Sequence, residues 1–178
     1  MLADPRRSCI LLLNLTRGSD ADVPKVLVTG RGRSMSLLVG CRQLFDVRQM
    51  AIGEFEAALL PDQITASIEL LDAETFSVWA DPRLVDYLSR CNIATVFLGG
   101  SYLEEDVLIA ALQGVGLGYD VRILADLSIA RIELDRALVL DRLLQHGVVA
   151  TTMRQAILEW AVSLGDAAAI HKARELLS

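Results

Sequence analysis

The stretch Gly99-Gly100-Ser101-Tyr102-Leu103-Glu104-Glu105-Asp106 sets a hydroxyl and three carboxylates directly after an apolar run, Ile93 to Leu98. Three acids within one helical turn at the carboxyl end of a strand could serve a site. The same acids also suit the first turn of a helix, where each contributes about 0.3 to 1 kcal/mol against the macrodipole when exposed. A second motif, Gly30-Arg31-Gly32-Arg33, offers backbone N–H groups and guanidinium groups to an anion. It lacks the Gly-Lys-Ser/Thr ending of a phosphate loop and the third glycine of a dinucleotide fingerprint, and it reads as a solvated turn.

Thiol and imidazole chemistry find less support. In open α/β sheets reactive groups gather beyond the carboxyl ends of the strands. Cys9 falls at the start of a predicted strand, Cys91 just before another, and Cys41 inside a predicted helix. All three therefore read as buried small hydrophobes rather than nucleophiles. His146 precedes Gly147 at a helix C-terminus and His171 lies in the last helix, neither with a partner at metal-ligand spacing. No metal and no cofactor is expected.

The elements that must position these groups follow from the apolar pattern. Cys9 to Leu15 is nearly continuous and predicts a buried strand; Val26 to Thr29 predicts a second. Ser34 can cap a helix through Leu44, followed by a strand over Val47 to Ile52 and an extended piece over Ile68 to Leu71. Pro82 sits where a helix starts, with Leu84, Val85 and Leu88 on one face and an end at Cys91-Asn92. Strand Ile93 to Leu98, a helix ending at Gly118, strand Val121 to Ala125, helix Glu133 to Gln145, strand Val148 to Ala150 and helix Met153 to Leu164 complete the alternation. Such alternation requires crossover connections, hence a three-layer α/β/α sandwich around a mainly parallel open sheet, in one domain over 1–178. Residues 166–178 form a last helix and a candidate oligomerisation element.

Composition narrows the function classes. At 178 residues, 53% hydrophobic and 22% charged, with a mean hydropathy of +0.41, the chain fills a core and is not disordered. The surplus of apolar residues favours self-association. A net charge of −6 opposes binding to nucleic acid. Lys25 and Lys172 are the only lysines. An odd count of three cysteines fits a reducing compartment, so a cytoplasmic protein is expected. Ile10 to Leu13 is too short for an export signal or a membrane span, and no membrane association is expected.

Thr95 to Glu159, with VFLGGSYLEEDVLIAALQGVGLGYDVRILAD and then LDRALVLDRLLQHGVVATTMRQAILEW, resembles the isochorismatase-like cysteine hydrolases. TFSVWADPRLVDYLSR, Thr75 to Arg90, is similar to the stretch after that family's catalytic lysine, and SCILLLNLTRG, Ser8 to Gly18, to its first strand. The region from Asp20 to Thr65 matches poorly. The family uses an aspartate after the first strand, a lysine before the Phe-Ser segment and a cysteine at the start of the helix after the Gly-rich turn. The resemblance puts these on Asn14, Ala73 and Asp106, and the glutamine usual two residues beyond the aspartate on Thr16. It further implies a pocket at Thr16, Ser77, Trp79, Gly100, Ser101 and Tyr102.

All three catalytic positions are thus changed. A thiolate attacks an amide carbonyl with help from a carboxylate and an ammonium; Asn14 cannot act as that base, Ala73 carries no charge, and Asp106 is a far weaker nucleophile. The expectation is an acidic side chain in the cleft with neither a proton acceptor nor a cation nearby. The favoured function is a non-catalytic binding or assembly subunit, as a homo-oligomer or beside an active paralogue. The alternative is a hydrolase with rearranged chemistry, with Asp106 as general base or acid on a small amide or ether. A further alternative is a small-molecule sensor with Trp79 and Tyr102 in an apolar cleft.

Overall fold

Beyond Ser8 no residue of Ser8–Leu13 (β1) is polar, and all of it is buried, the signature of a strand covered on both faces. The computed structural model describes residues 1–17 and 30–178; the strand expected over Val26 to Thr29 lies outside them. Arg48–Ile52 (β2), Glu69–Leu71 (β3), Thr95–Ser101 (β4), Asp120–Ile129 (β5) and Val149–Thr151 (β6) join β1 in one sheet of order β3-β2-β1-β4-β5-β6. Every neighbouring pair is parallel. The order reverses between β1 and β4, and at such a switch point the carboxyl ends of two adjacent strands open a crevice.

Helices cover both faces. Pro82–Arg90 (α3), Leu108–Gly116 (α4) and Arg136–Gln145 (α5) pack Leu84, Leu88, Ala111, Val139 and Leu143 against Leu11, Leu13 and Leu98. On the other face lie Gly30–Phe45 (α1), Asp62–Ser67 (α2), Met153–Ser163 (α6) and Ala167–Leu176 (α7), whose Met35, Leu38, Ile64, Ile157, Trp160 and Ala173 meet Ile10, Leu12 and Phe97. The expected three-layer α/β/α sandwich is therefore the fold. Asp81 caps α3 by accepting from the Arg83 N–H at 2.9 Å, with Pro82 in the first turn. Thr152 and Gln155 form a reciprocal capping box at the start of α6. Helix α7 packs on α1 and α6 of its own subunit and buries Ala173, with Leu177 buried just beyond its end.

Several details depart from the pattern. Gly99, Gly100 and Ser101 belong to β4 rather than ending it, because Gly100, at φ +137°, lets the strand close on the Leu13 backbone where a Cβ would collide with the Leu13 carbonyl. The register of β4 against β5 shifts between Leu98 and Gly100, and β5 runs on to Ile129. Gly30-Arg31-Gly32-Arg33 is the first turn of α1 and not a solvated turn: Arg31 is buried. Cys9 and Cys41 are buried as expected, whereas Cys91, at the end of α3, is exposed. Among the described residues no helix is long and apolar enough to cross a membrane, and no group of three or more His, Cys, Asp or Glu is placed to hold a metal ion.

Candidate functional site

Four strand ends build one cavity of about 310 Å³, lined by Asn14 and Arg17 after β1, Gly53 and Glu54 after β2, Asp72, Ala73, Glu74, Thr75 and Phe76 after β3, and Asp106 after β4. Asn14, Ala73 and Asp106, separated by most of the chain in sequence, meet there. Asn14 follows β1 with φ 47°, a left-handed conformation that asparagine tolerates better than most residues. Its backbone N–H donates to the Ile52 carbonyl at 2.8 Å, and its side-chain Oδ1 accepts the Glu54 N–H at 2.8 Å. Gly53, at φ +79°, leaves the space that Oδ1 occupies. The asparagine side chain is thereby spent on fixing the loop after β2.

Asp106 is 0% exposed. Tyr102, at φ 59° and ψ 78°, turns the chain out of β4, and a wide helical turn over Leu103–Val107 with Glu105 at φ −111° and ψ −107° carries Asp106 inward. One carboxylate oxygen accepts from Thr75 Oγ1; the other meets Arg17 Nη1 at 3.2 Å. Arg17 Nε reaches Glu54 at 3.2 Å, so one guanidinium bridges a buried and an exposed carboxylate. The expectation that no cation stands near Asp106 is thus corrected: the cation comes from the loop after β1 and is an arginine, not a lysine before the Phe-Ser segment. Arg17 is itself held, its carbonyl accepting from Ser101 Oγ at 2.9 Å and its guanidinium lying 5.6 Å from the Tyr102 ring centre. Arg131 stacks on Tyr102 at 4.5 Å and pairs with Glu105 at 3.2 Å.

The residues expected as pocket divide by position, and none of the six lines this cavity. Thr16 Oγ1 accepts the Glu56 N–H at 2.9 Å and ties the loops after β1 and β2 together. Gly100 packs against β1, Ser101 is buried beneath Arg17, and Tyr102 backs the guanidinium from behind. Ser77 and Trp79 line a separate shallow cleft with Phe76, Gln113 and Leu117. Trp79 is mostly buried, stacked on Tyr119 with centroids 5.3 Å apart, and its Nε1 donates to the Ala110 carbonyl at 2.8 Å, which makes it a packing residue between Thr75–Ala80 and α4. Arg17, Glu54 and Thr75 complete the site, and no sequence motif points to them. A lone arginine in a polar loop carries no spacing signal, and its contact with Asp106 spans 89 positions.

Chemically the cavity carries an excess of negative charge, only partly offset. The lining carries the carboxylates of Glu54, Asp72, Glu74 and Asp106 against the single guanidinium of Arg17, and no thiol. Cys9 and Cys41 lie in the two cores, where burial pushes both thiols far above their ordinary range.

A doubly wound parallel sheet with a crevice at its switch point defines the class as an open α/β protein. The isochorismatase domain model matches residues 20–155, and the chain belongs to the isochorismatase family. Among solved structures it is similar to the MAR1 ribonuclease of Caenorhabditis elegans, at 17% identity and a TM-score of 0.77, over 99% of this chain and 92% of that one. The YcaC gene product of Escherichia coli, an octameric hydrolase of unknown specificity, is similar at 18% identity and a TM-score of 0.70, over 99% and 95%. A nicotinamidase from Staphylococcus aureus is similar at 14% identity and a TM-score of 0.65, over 80% and 98%. These likenesses show the fold. No curated protein matches the sequence significantly.

Proposed function

We propose that this chain is a binding or assembly member of the isochorismatase family that lacks cysteine-hydrolase chemistry. The observation that carries the reading is the state of Asp106, a fully buried carboxylate with one oxygen taken by Thr75 and the other by Arg17. By resemblance, Asp106, Ala73 and Asn14 stand where the family's cysteine, lysine and aspartate would, and they line one cavity. None is a thiol, Ala73 offers no charge, and the Asn14 oxygen is spent on the Glu54 N–H. The alternative use of Asp106 as general base or acid on a small amide or ether is disfavoured. Either role needs a carboxyl oxygen that the substrate can reach, and Asp106 is wholly buried with both oxygens turned to Thr75 and Arg17.

A cavity of about 310 Å³ suits a small ligand, and its excess of carboxylates fits a cationic or neutral polar group better than an anion. The octameric state of the Escherichia coli relative, with Leu134 and Leu138 of this chain 93% and 70% exposed, supports a homo-oligomer or pairing with an active paralogue. The outer face of α7 is a second candidate contact. Free thiols suit the cytoplasm.

The test is modification of the native protein with a water-soluble carbodiimide and an amine, followed by peptide mapping. The reading expects label at exposed Glu54 and none at buried Asp106; a label on Asp106 would refute it. Sedimentation of the same sample should give an assembled particle or ligand-dependent stabilisation, and a monomer indifferent to small amines and amides alike would remove both the binding and the assembly role.

A further inference from the structure

Arg31 lies in the first turn of α1, 7% exposed. Its Nη2 donates to the Leu15 carbonyl at 3.1 Å. Its Nε and Nη1 are buried and have no hydrogen-bond partner, and among the described residues no carboxylate pairs with it. Asp126 of β5, which reaches α1 at Ser34, is otherwise engaged: it accepts from Ser34 Oγ at 2.6 Å and from the Met153 N–H at 3.1 Å. Burial lowers the Arg31 pKa to about 10, so the side chain stays charged at neutral pH. A buried cation without a counter-charge is unfavourable, and a bound anion would offset that cost.

The position completes the argument. Leu15 is the second residue beyond β1, which sets the guanidinium at the carboxyl edge of the sheet, on the face that α1 covers rather than the face of Asp106. The first turn of a 16-residue helix presents N–H groups without intrahelical acceptors at the same edge, at the positive end of its dipole. Guanidinium and helix start favour the same charge, and both recognise oxyanions. We propose that Arg31 and the first-turn N–H groups of α1 bind a small oxyanion, a phosphate or a carboxylate, at a site separate from the cavity around Asp106. Through the Leu15 carbonyl this site touches the loop that carries Asn14 and Arg17, so occupancy steadies that loop.

The experiment is calorimetric titration and thermal unfolding of the full chain with inorganic phosphate, and separately with acetate, against sodium chloride at matched ionic strength. Wild type should bind one phosphate or one acetate saturably, with about a hundred-fold rise in the folding equilibrium constant at 100 times Kd. Arg31→Gln should abolish the response, Arg31→Lys should weaken it about tenfold, and Arg33→Gln, an exposed residue of the same turn, should leave it intact. If Arg31→Gln does not fold, the wild-type and Arg31→Lys titrations decide alone. No saturable response in wild type, or one that survives Arg31→Gln or is lost equally in Arg33→Gln, overturns the proposal. So does an Asp20→Asn or Asp22→Asn variant as destabilised as Arg31→Gln in a protein that ignores both anions, since the counter-charge would then belong to the chain itself.

Discussion

Replacing Arg17 by methionine keeps most of its aliphatic length and removes the one guanidinium that touches Asp106. The separation of 3.2 Å at Nη1 corresponds to a gross attraction of roughly 5 kcal/mol at an effective dielectric near 20. Much of that is offset by desolvating Asp106, which is wholly buried, and solvent screens Arg17, whose side chain is 35% exposed. A net loss of about 2 kcal/mol is expected for Arg17→Met. Asp106→Asn, which keeps a side-chain oxygen for Thr75, should cost about 1 kcal/mol. In the double variant the two losses should fail to add by about 1 to 2 kcal/mol, because each single change already breaks the pair. Urea unfolding read by circular dichroism measures all four proteins, and the reasoning requires midpoints to move while slopes stay constant. A coupling below about 0.3 kcal/mol would refute the claim that Arg17 neutralises Asp106.

Gly100→Ala should cost more than about 3 kcal/mol or prevent folding, since φ +137° and the Leu13 carbonyl both oppose a Cβ where β1 meets β4; soluble yield and thermal unfolding read this. Trp79→Phe should lose about 1 to 2 kcal/mol with the Ala110 hydrogen bond. Trp160→Phe should change stability by under about 1 kcal/mol, because its buried Nε1 has no partner to lose and the relief offsets the smaller ring; chemical unfolding compares the two. The Arg83 guanidinium and N–H hold the Asp81 carboxyl below its ordinary 3.8, at about 2. The unfolded chain then binds the proton more readily, so the stability gap between wild type and Asp81→Asn should hold above about pH 4 and close as pH falls through about 2. Acid unfolding of both proteins follows it.

The layered fold was legible because local signals and burial agree in it. The run Cys9 to Leu13 has no polar interruption, and Asp81-Pro82 announces α3 by capping and by a fixed φ. The start of α1 was not legible, since two glycines in four residues argue against a helix and only the tertiary placement of Arg31 favours one. Nor was the end of β4: Gly99 and Gly100 punctuate a chain read locally, while their true role, close approach to β1, depends on a strand far away in sequence. At the site, resemblance located Asn14, Ala73 and Asp106, which line one cavity. The partners that set the character of Asp106, Arg17 and Thr75, come from two other strand ends, and nothing in their local sequence marks them.

The account turns on the buried carboxylate being held rather than reactive. The direct measurement is steady-state turnover of amide, ureido and vinyl-ether substrates by purified wild type and Asp106→Ala, with product followed by mass spectrometry. Product formation indistinguishable from buffer for both proteins is the result expected. Robust turnover by wild type that Asp106→Ala abolishes would contradict the account.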